Sequence, residues 1–411
     1  MLPPPVAAAE RAARHRSDTD FAEFSKAWAR MADGIAHPSP ETPAARRWGG
    51  GEVLAVAALL SPGLAVFAPL GLAPLLGLAA LAILALDGRR AIAAARQWGA
   101  LALLLAALSL WAFLSVAWSI LPQHSFIEAC RLLAISAGGL VVCSLAMALA
   151  SQEREKLGRA LVVGVAVAIV FLVVERISGA ALTRWALHVP AAVPLPLTRF
   201  DRGATVLALA LWPALLALGG RRKGVPLLLL AVAATATVFA MESTTAKLAL
   251  LLGFVVFALA SAAPRLVAAA LAAGILLAAI GLPLATPQVT TVATISQRAP
   301  WLKVSAVHRL MIWRFVADRI AERPWLGWGL DASRELPGGH ANLHELYPQA
   351  RLTSDAVALP LHPHDALLQW EVELGVPGVM LGLGILGWGL WRVGYAAGLT
   401  RARRAGALAW A

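Results

Sequence analysis

The sequence predicts an all-α fold, a polytopic transmembrane helical bundle. Hydrophobic residues make up 59% of the 411-residue chain and charged residues only 14%, where a soluble domain carries nearer a quarter charged. The mean hydropathy is +0.73. Apolar runs of about twenty residues recur along the whole length, the mark of membrane-crossing helices. A transmembrane β-barrel would show short alternating segments instead.

Residues 1–48 read as a polar tail rich in Pro, Ala and mixed charge, largely disordered. Asp20 to Met31 within it suits a surface helix presenting Phe21, Phe24 and Trp28. The tail lacks the apolar core of a signal peptide, so the first span is expected to act as its own insertion signal.

Ten spans are predicted, about 50–67, 69–87, 98–118, 126–149, 157–177, 203–219, 225–241, 246–262, 266–284 and 366–391. Residues 49–284 thus hold spans one to nine. The loop domain 285–365 follows, then span ten and a basic end at 392–411. Clusters around Arg89-Arg90, Arg154 to Arg159, Arg221 to Lys223, Arg265 and Arg401 to Arg404 fall on one side if the N-terminus is cytoplasmic, which satisfies the positive-inside bias. That bias also accounts for the net charge of +12, and no compact basic domain exists to bind nucleic acid. Cys130 and Cys143 fall in one predicted helix, about 20 Å apart, too far to bridge.

The same topology puts 178–202 and 285–365 on the external face. His188, Arg199, Arg202, His308, Arg309, His340, His344, His362 and His364 lie there, with Lys247 at the outer end of span eight. External cations oppose the usual bias and require a reason. In HPHD, 362–365, Pro363 and Asp365 suit the first turn of a helix. A histidine there is also the side chain best able to exchange a proton near neutrality. His364 and Asp365 are adjacent and would not face one another on a helix. Gly375-Val376-Pro377-Gly378 should kink span ten, and Gly378 with Gly382 forms a small-xxx-small packing face.

Residues 308–329 predict an amphipathic helix outside the bilayer, ended by Pro324 and the Gly327-Trp328-Gly329 that follows. Leu310, Trp313, Val316 and Ile320 form its apolar face, and Arg309, Arg314, Arg319 and Arg323 supply charge. It suits gripping lipid headgroups, or clamping phosphate through Arg309. MESTTAK, 241–247, is a polar turn ending in Lys247, a second cation or a snorkelling side chain. RFDRG, 199–203, opens span six, and Asp201 is expected to pair with Arg199 or Arg202. His340 and His344 have i,i+4 spacing, but their loop is irregular and offers no third ligand.

Together these pieces resemble the O-antigen ligase family, whose wider superfamily includes O-antigen polymerases and bacterial O-oligosaccharyltransferases. The family's histidine, followed by Asn, Ser or Gln, nine residues and GxxG, looks like His364, Asp365 and Gly375 to Gly378. Its arginine, tryptophan four residues on and P-x-x-G-x-G turn look like Arg309, Trp313 and Pro324 to Gly329. Its SRGA break looks like Ser243 to Ala246, with Thr244 in place of arginine and Lys247 one turn on. Asp365 replaces the usual amide or hydroxyl. The resemblance implies about twelve spans, so Gly406 to Ala411 reads as the start of another, cut short.

The resemblance also implies a glycan donor on undecaprenyl diphosphate and a lipid A–core acceptor, at the periplasmic face of the bacterial inner membrane. His364 and Arg309 would be catalytic. Lys247, Arg202, Arg199, Trp313, His362, Asp365 and Gln369 would bind substrate, without metal or cofactor. Three alternatives differ in acceptor or class: a polymerase, a protein O-oligosaccharyltransferase, and a lipid-linked glycan transporter. A transporter would bury charges near the bilayer midplane.

Overall fold

The computed structural model describes residues 48–190, 192–219, 224–289, 302–347, 352–395 and 399–410. The tail and its expected surface helix, and Arg221 to Lys223, lie outside them. All elements below belong to the compact unit Gly49–Ala411.

The long apolar helices come first: α1 (Gly50–Phe67), α2 (Leu72–Ala95), α3 (Gly99–Ser115), α4 (Pro122–Ala148) and α5 (Ser151–Ile177). Short α6 (Ala181–Leu187) precedes α7 (Asp201–Gly219), α8 (Gly224–Ala240), α9 (Thr244–Ala262) and α10 (Pro264–Val289). Then follow α11 (Val304–Glu322), the single turn α12 (Leu343–Leu346), α13 (Ala366–Tyr395) and α14 (Arg401–Trp410). Among the described residues there is no strand beyond one isolated bridge, Asn342 to Val357.

Eight described segments are long and apolar enough to cross a membrane, and α8 is a shorter apolar helix. One of the eight, Pro69–Ser115, runs for 47 residues. It holds predicted spans two and three, because it doubles back after α2. Asp87 leaves helical geometry, and Arg96–Trp98 is a 3₁₀ turn. The reversal is pinned from outside: Asp87 accepts the Gly50 N–H at 2.6 Å, and Arg90 reaches both Glu153 and the Ala148 carbonyl, each at 2.6 Å. Lys156 pairs with Glu52 at 3.0 Å. The described basic clusters near Arg90 and Lys156 therefore share one end of the bundle. The turn after α11 lies at the far end of α3, bonded to Ser115 and Ser125.

The core lies between helices rather than around a single centre. Leu207, Leu211 and Trp212 of α7 meet Val165 and Leu172 of α5, Val238 of α8 and Leu250 of α9. Trp212 stacks on Phe257 at 5.7 Å. Leu78, Leu103, Leu252 and Leu277 point outward. Such leucines cost nothing in lipid, where helix association rests on close packing rather than on a hydrophobic drive.

Helix α13 breaks where the sequence predicts a kink. Gly375 takes φ +63° and ψ −169°, and Pro377 has no N–H to give. The turn after α11 satisfies the freed backbone. Trp328 N donates to Val372 O and Gly329 N to Glu373 O, both at 2.9 Å, and Val376 N donates to Pro324 O at 2.9 Å. Trp111 Nε1 donates to Leu374 O at 2.8 Å. A broken helix is tolerated at membrane depth only when its loose groups are claimed in this way. Gly378 and Gly382 do not serve the expected helix–helix face. A side chain at either would strike Leu374 or Trp370 of α13 itself, so they make room for the kink. The C-terminal α14 packs Ala405 and Leu408 against Val256, Ala260 and Leu390.

Candidate active site

The site is built on α11, on the returning segment 352–365 and on the start of α13. Val307, Met311, Ile312, Val316, Ala317 and Ile320 of α11 are buried. The predicted apolar face was rotated: Val316 and Ile320 lie on the buried side, while Leu310 and Trp313 sit half-exposed at its edge. The helix ends just ahead of Pro324, as predicted. Arg323 caps it, with its guanidinium 4.1 Å from the centre of the Trp328 ring. Arg309 lies on the open side and is exposed.

Segment 352–365 is held beneath α11. Ala358 N donates to Ala341 O at 2.9 Å, and Leu359 N to Gly339 O at 2.8 Å. His308 Nε2 donates to Val357 O at 2.8 Å. Trp313 Nε1 donates to Pro363 O at 3.1 Å. This last bond joins α11 directly to the HPHD stretch, so the family-like tryptophan positions the backbone beside His364.

His364 itself has φ +58°, in the left-handed region. Its N–H donates to His362 Nδ1 at 3.3 Å, and the two rings stand 4.4 Å apart, edge to face. Neutral His362 thus carries its proton on Nε2. Partial burial lowers the His364 pKa, and the electrostatic influence of its neighbours His362, Arg309 and His308 lowers it further. The imidazole is therefore held neutral and basic at pH 7. No carboxylate orients it: Asp365 turns away to cap α13, accepting Leu367 N and Leu368 N at 3.0 Å each. Asp365 is the N-cap rather than part of the first turn, and Pro363 lies ahead of the helix. Asp365→Ala should cost about 1 kcal/mol of stability, read as a small drop in melting temperature, while the His364 side chain stays in place.

The remaining predicted residues divide. Gln369 donates to Glu373 at 3.0 Å, so its amide is already engaged. Asp201 does not pair with its neighbours Arg199 or Arg202. It lies within electrostatic reach of Lys247 and Glu242 and takes a backbone bond from Ser243. Ser243 caps α9 by accepting Ala246 N at 3.2 Å. Arg199 and Arg202 instead line a groove of about 530 Å³ with Pro69, Leu70 and Thr198. The groups acting on His364 are His362, Arg309 and His308; Lys247, Arg199 and Arg202 are not among them. His340 pairs with Glu335 at 3.1 Å.

Two residues here were not assigned from sequence. In sequence His308 is one external histidine among several, with nothing local to set it apart. Glu373, 3% exposed, takes Asp331 N at 2.8 Å, Ser333 Oγ at 2.6 Å and Gln369. An acid inside an apolar helix was its signal.

A family model described as O-antigen ligase matches residues 227–383, an interval that contains Lys247, Arg309, His364 and the α13 break. Over that interval the chain is similar to the O-antigen ligase family. It is similar to proteins named as candidate polysaccharide ligases in three Rickettsia species. The one from Rickettsia conorii is 29% identical over 230 residues, 56% of this chain and 53% of that protein. The one from Rickettsia bellii is 28% identical over 276 residues, 67% of this chain and 64% of that protein. The one from Rickettsia typhi is 26% identical over 272 residues, 66% of this chain and 63% of that protein. The chain thus spans between about half and two thirds of these relatives' lengths. No solved structure matches it.

Proposed function

We propose that this protein is a member of the O-antigen ligase family and moves a glycan from undecaprenyl diphosphate to a sugar hydroxyl of lipid A–core. The reaction takes place at the periplasmic face of the inner membrane, with the N-terminus cytoplasmic. The observation that carries this reading is the juxtaposition of a neutral, solvent-open His364 with the Arg309 cation at the end of the bundle away from the basic clusters.

His364 takes the proton of the acceptor hydroxyl as its oxygen attacks the anomeric carbon. The bond from that carbon to the diphosphate breaks, and undecaprenyl diphosphate departs with the electron pair. Arg309 stabilises the charge that grows on the leaving oxygens, and its planar fork suits two phosphate oxygens at once. Lys247 and the Arg199–Arg202 groove add positive surface at the same end of the bundle, fit for the second phosphate or the first sugars. Trp313 and His362 frame the base, and Asp365 and Gln369 hold the start of α13. The diphosphate is already an activated leaving group, so the chemistry needs no nucleotide, cofactor or metal. A polymerase would use the same machinery with a second lipid-linked glycan as acceptor.

The test is transfer of labelled glycan from undecaprenyl diphosphate in vesicles that contain the purified protein and lipid A–core. Label should move to lipid A–core. Arg309→Ala should slow transfer by about 10²–10³-fold, and Arg309→Lys should recover only part of it. Label on a longer lipid-linked glycan would make the protein a polymerase. Label on neither acceptor would reject the reading.

A further inference from the structure

We propose that His124, Glu128 and Asp331 form a site for one divalent metal ion of the Zn²⁺ class, separate from His364 and from the transfer chemistry. One imidazole nitrogen and one oxygen from each carboxylate lie within 4.8 Å of one another. That is a mixed nitrogen and oxygen donor set of the kind Zn²⁺ accepts. Donor atoms around a tetrahedral Zn²⁺ sit about 3.3 Å apart, given bonds of about 2.0–2.1 Å, so rotamer-sized shifts complete the site.

The frame around these donors is set without them. His124 and Glu128 are one turn apart on the same face at the start of α4, where Pro122 fixes the entry. Asp331 approaches from the turn after α11, which is stapled to 115–125 on both sides. Leu330 N donates to Ser115 Oγ at 3.1 Å, Ser125 Oγ donates to Leu330 O at 2.6 Å, and Ile120 N donates to Trp328 O at 3.3 Å. From behind, Glu373 takes Asp331 N at 2.8 Å. Ligands carried on such a rigid frame are preorganised.

The present contacts of the three side chains can be exchanged for metal bonds. His124 Nε2 and Asp331 Oδ2 are 2.6 Å apart, sharing the position that a metal takes from a proton. Arg334 donates to the same Asp331 oxygen at 2.8 Å, and Arg131 pairs with Glu128. The Arg131 side chain is 65% exposed and the Arg334 side chain 35%. Ion pairs this open to water are weak and give way to a metal. A bound ion would tie the first turns of α4 to the turn that braces the α13 break.

The test is calorimetric titration of ZnCl₂ into the full chain, purified in detergent and stripped with a chelator. One Zn²⁺ per chain should bind saturably. His124→Ala and Asp331→Asn should each weaken binding by about tenfold or more, and His340→Ala should leave it unchanged. If either variant fails to melt as the parent does without metal, Glu128→Gln replaces it, since that change leaves the His124–Asp331 contact intact. Co²⁺ in the unaltered protein should show the visible absorption of a four-coordinate site. Binding that is absent, or that is as tight in the ligand variants as in the parent, would overturn the site. Neither result bears on glycan transfer, so the two readings fail independently.

Discussion

His364→Ala is expected to slow glycan transfer by about 10²–10⁴-fold without unfolding the protein. The reason is local. The imidazole is open to solvent, makes no side-chain bond that holds an element in place, and sits among His362, Arg309 and His308. Partial burial, with the electrostatic influence of these neighbours, pushes its pKa below the ordinary value of 6.5. At pH 7 the ring is neutral and accepts a proton. As pH falls through the lowered value the ring charges, and base catalysis is lost. The parent's kcat/KM should therefore decline on the acid side, with its midpoint below pH 6.5, and the alanine variant should lack that limb. Initial rates of labelled transfer at several pH values decide the matter. Retained transfer in the variant would remove His364 from the chemistry.

Gly375→Ala is the second large expectation, and it acts through the backbone. Gly375 sits at φ +63° and ψ −169°, a region almost closed to other residues, with a strain of about 1–3 kcal/mol. An added Cβ would also lie 2.2 Å from Trp325 O and 2.5 Å from Trp325 C. The wall it meets is backbone, so relief requires the 324–329 turn to part from α13. That breaks the bonds from Trp328, Gly329 and Val376. The melting temperature in detergent should fall by several degrees, and transfer should fall with it as the start of α13 swings. Gly387 lies in the same helix with open space around it, so Gly387→Ala should be silent. Equal melting of the two variants would mean that the break is not built as described.

Much of this was legible beforehand because it rests on chemistry that acts at short range along the chain. Apolar runs declare helices in lipid, since the bilayer lets no backbone group go unpaired. Pro377 and Gly375 announced the break, and Arg309 and His364 stood out as polar groups outside the predicted basic clusters. The partnerships were not legible. Asp201 answers to Lys247 and Glu242 rather than to the arginines beside it in sequence. Asp365 serves as a helix cap. Gly378 and Gly382 face their own helix.

By itself, then, the order of residues determined an all-helical membrane bundle and the position of its broken helix. Only the folded arrangement decided which side chains meet. His364 finds Arg309 across more than fifty residues, and Glu373 closes the turn after α11 onto the broken helix. Periodicity and charge bias are properties of neighbouring residues. Contacts between distant ones depend on packing angles and backbone kinks that no local pattern encodes.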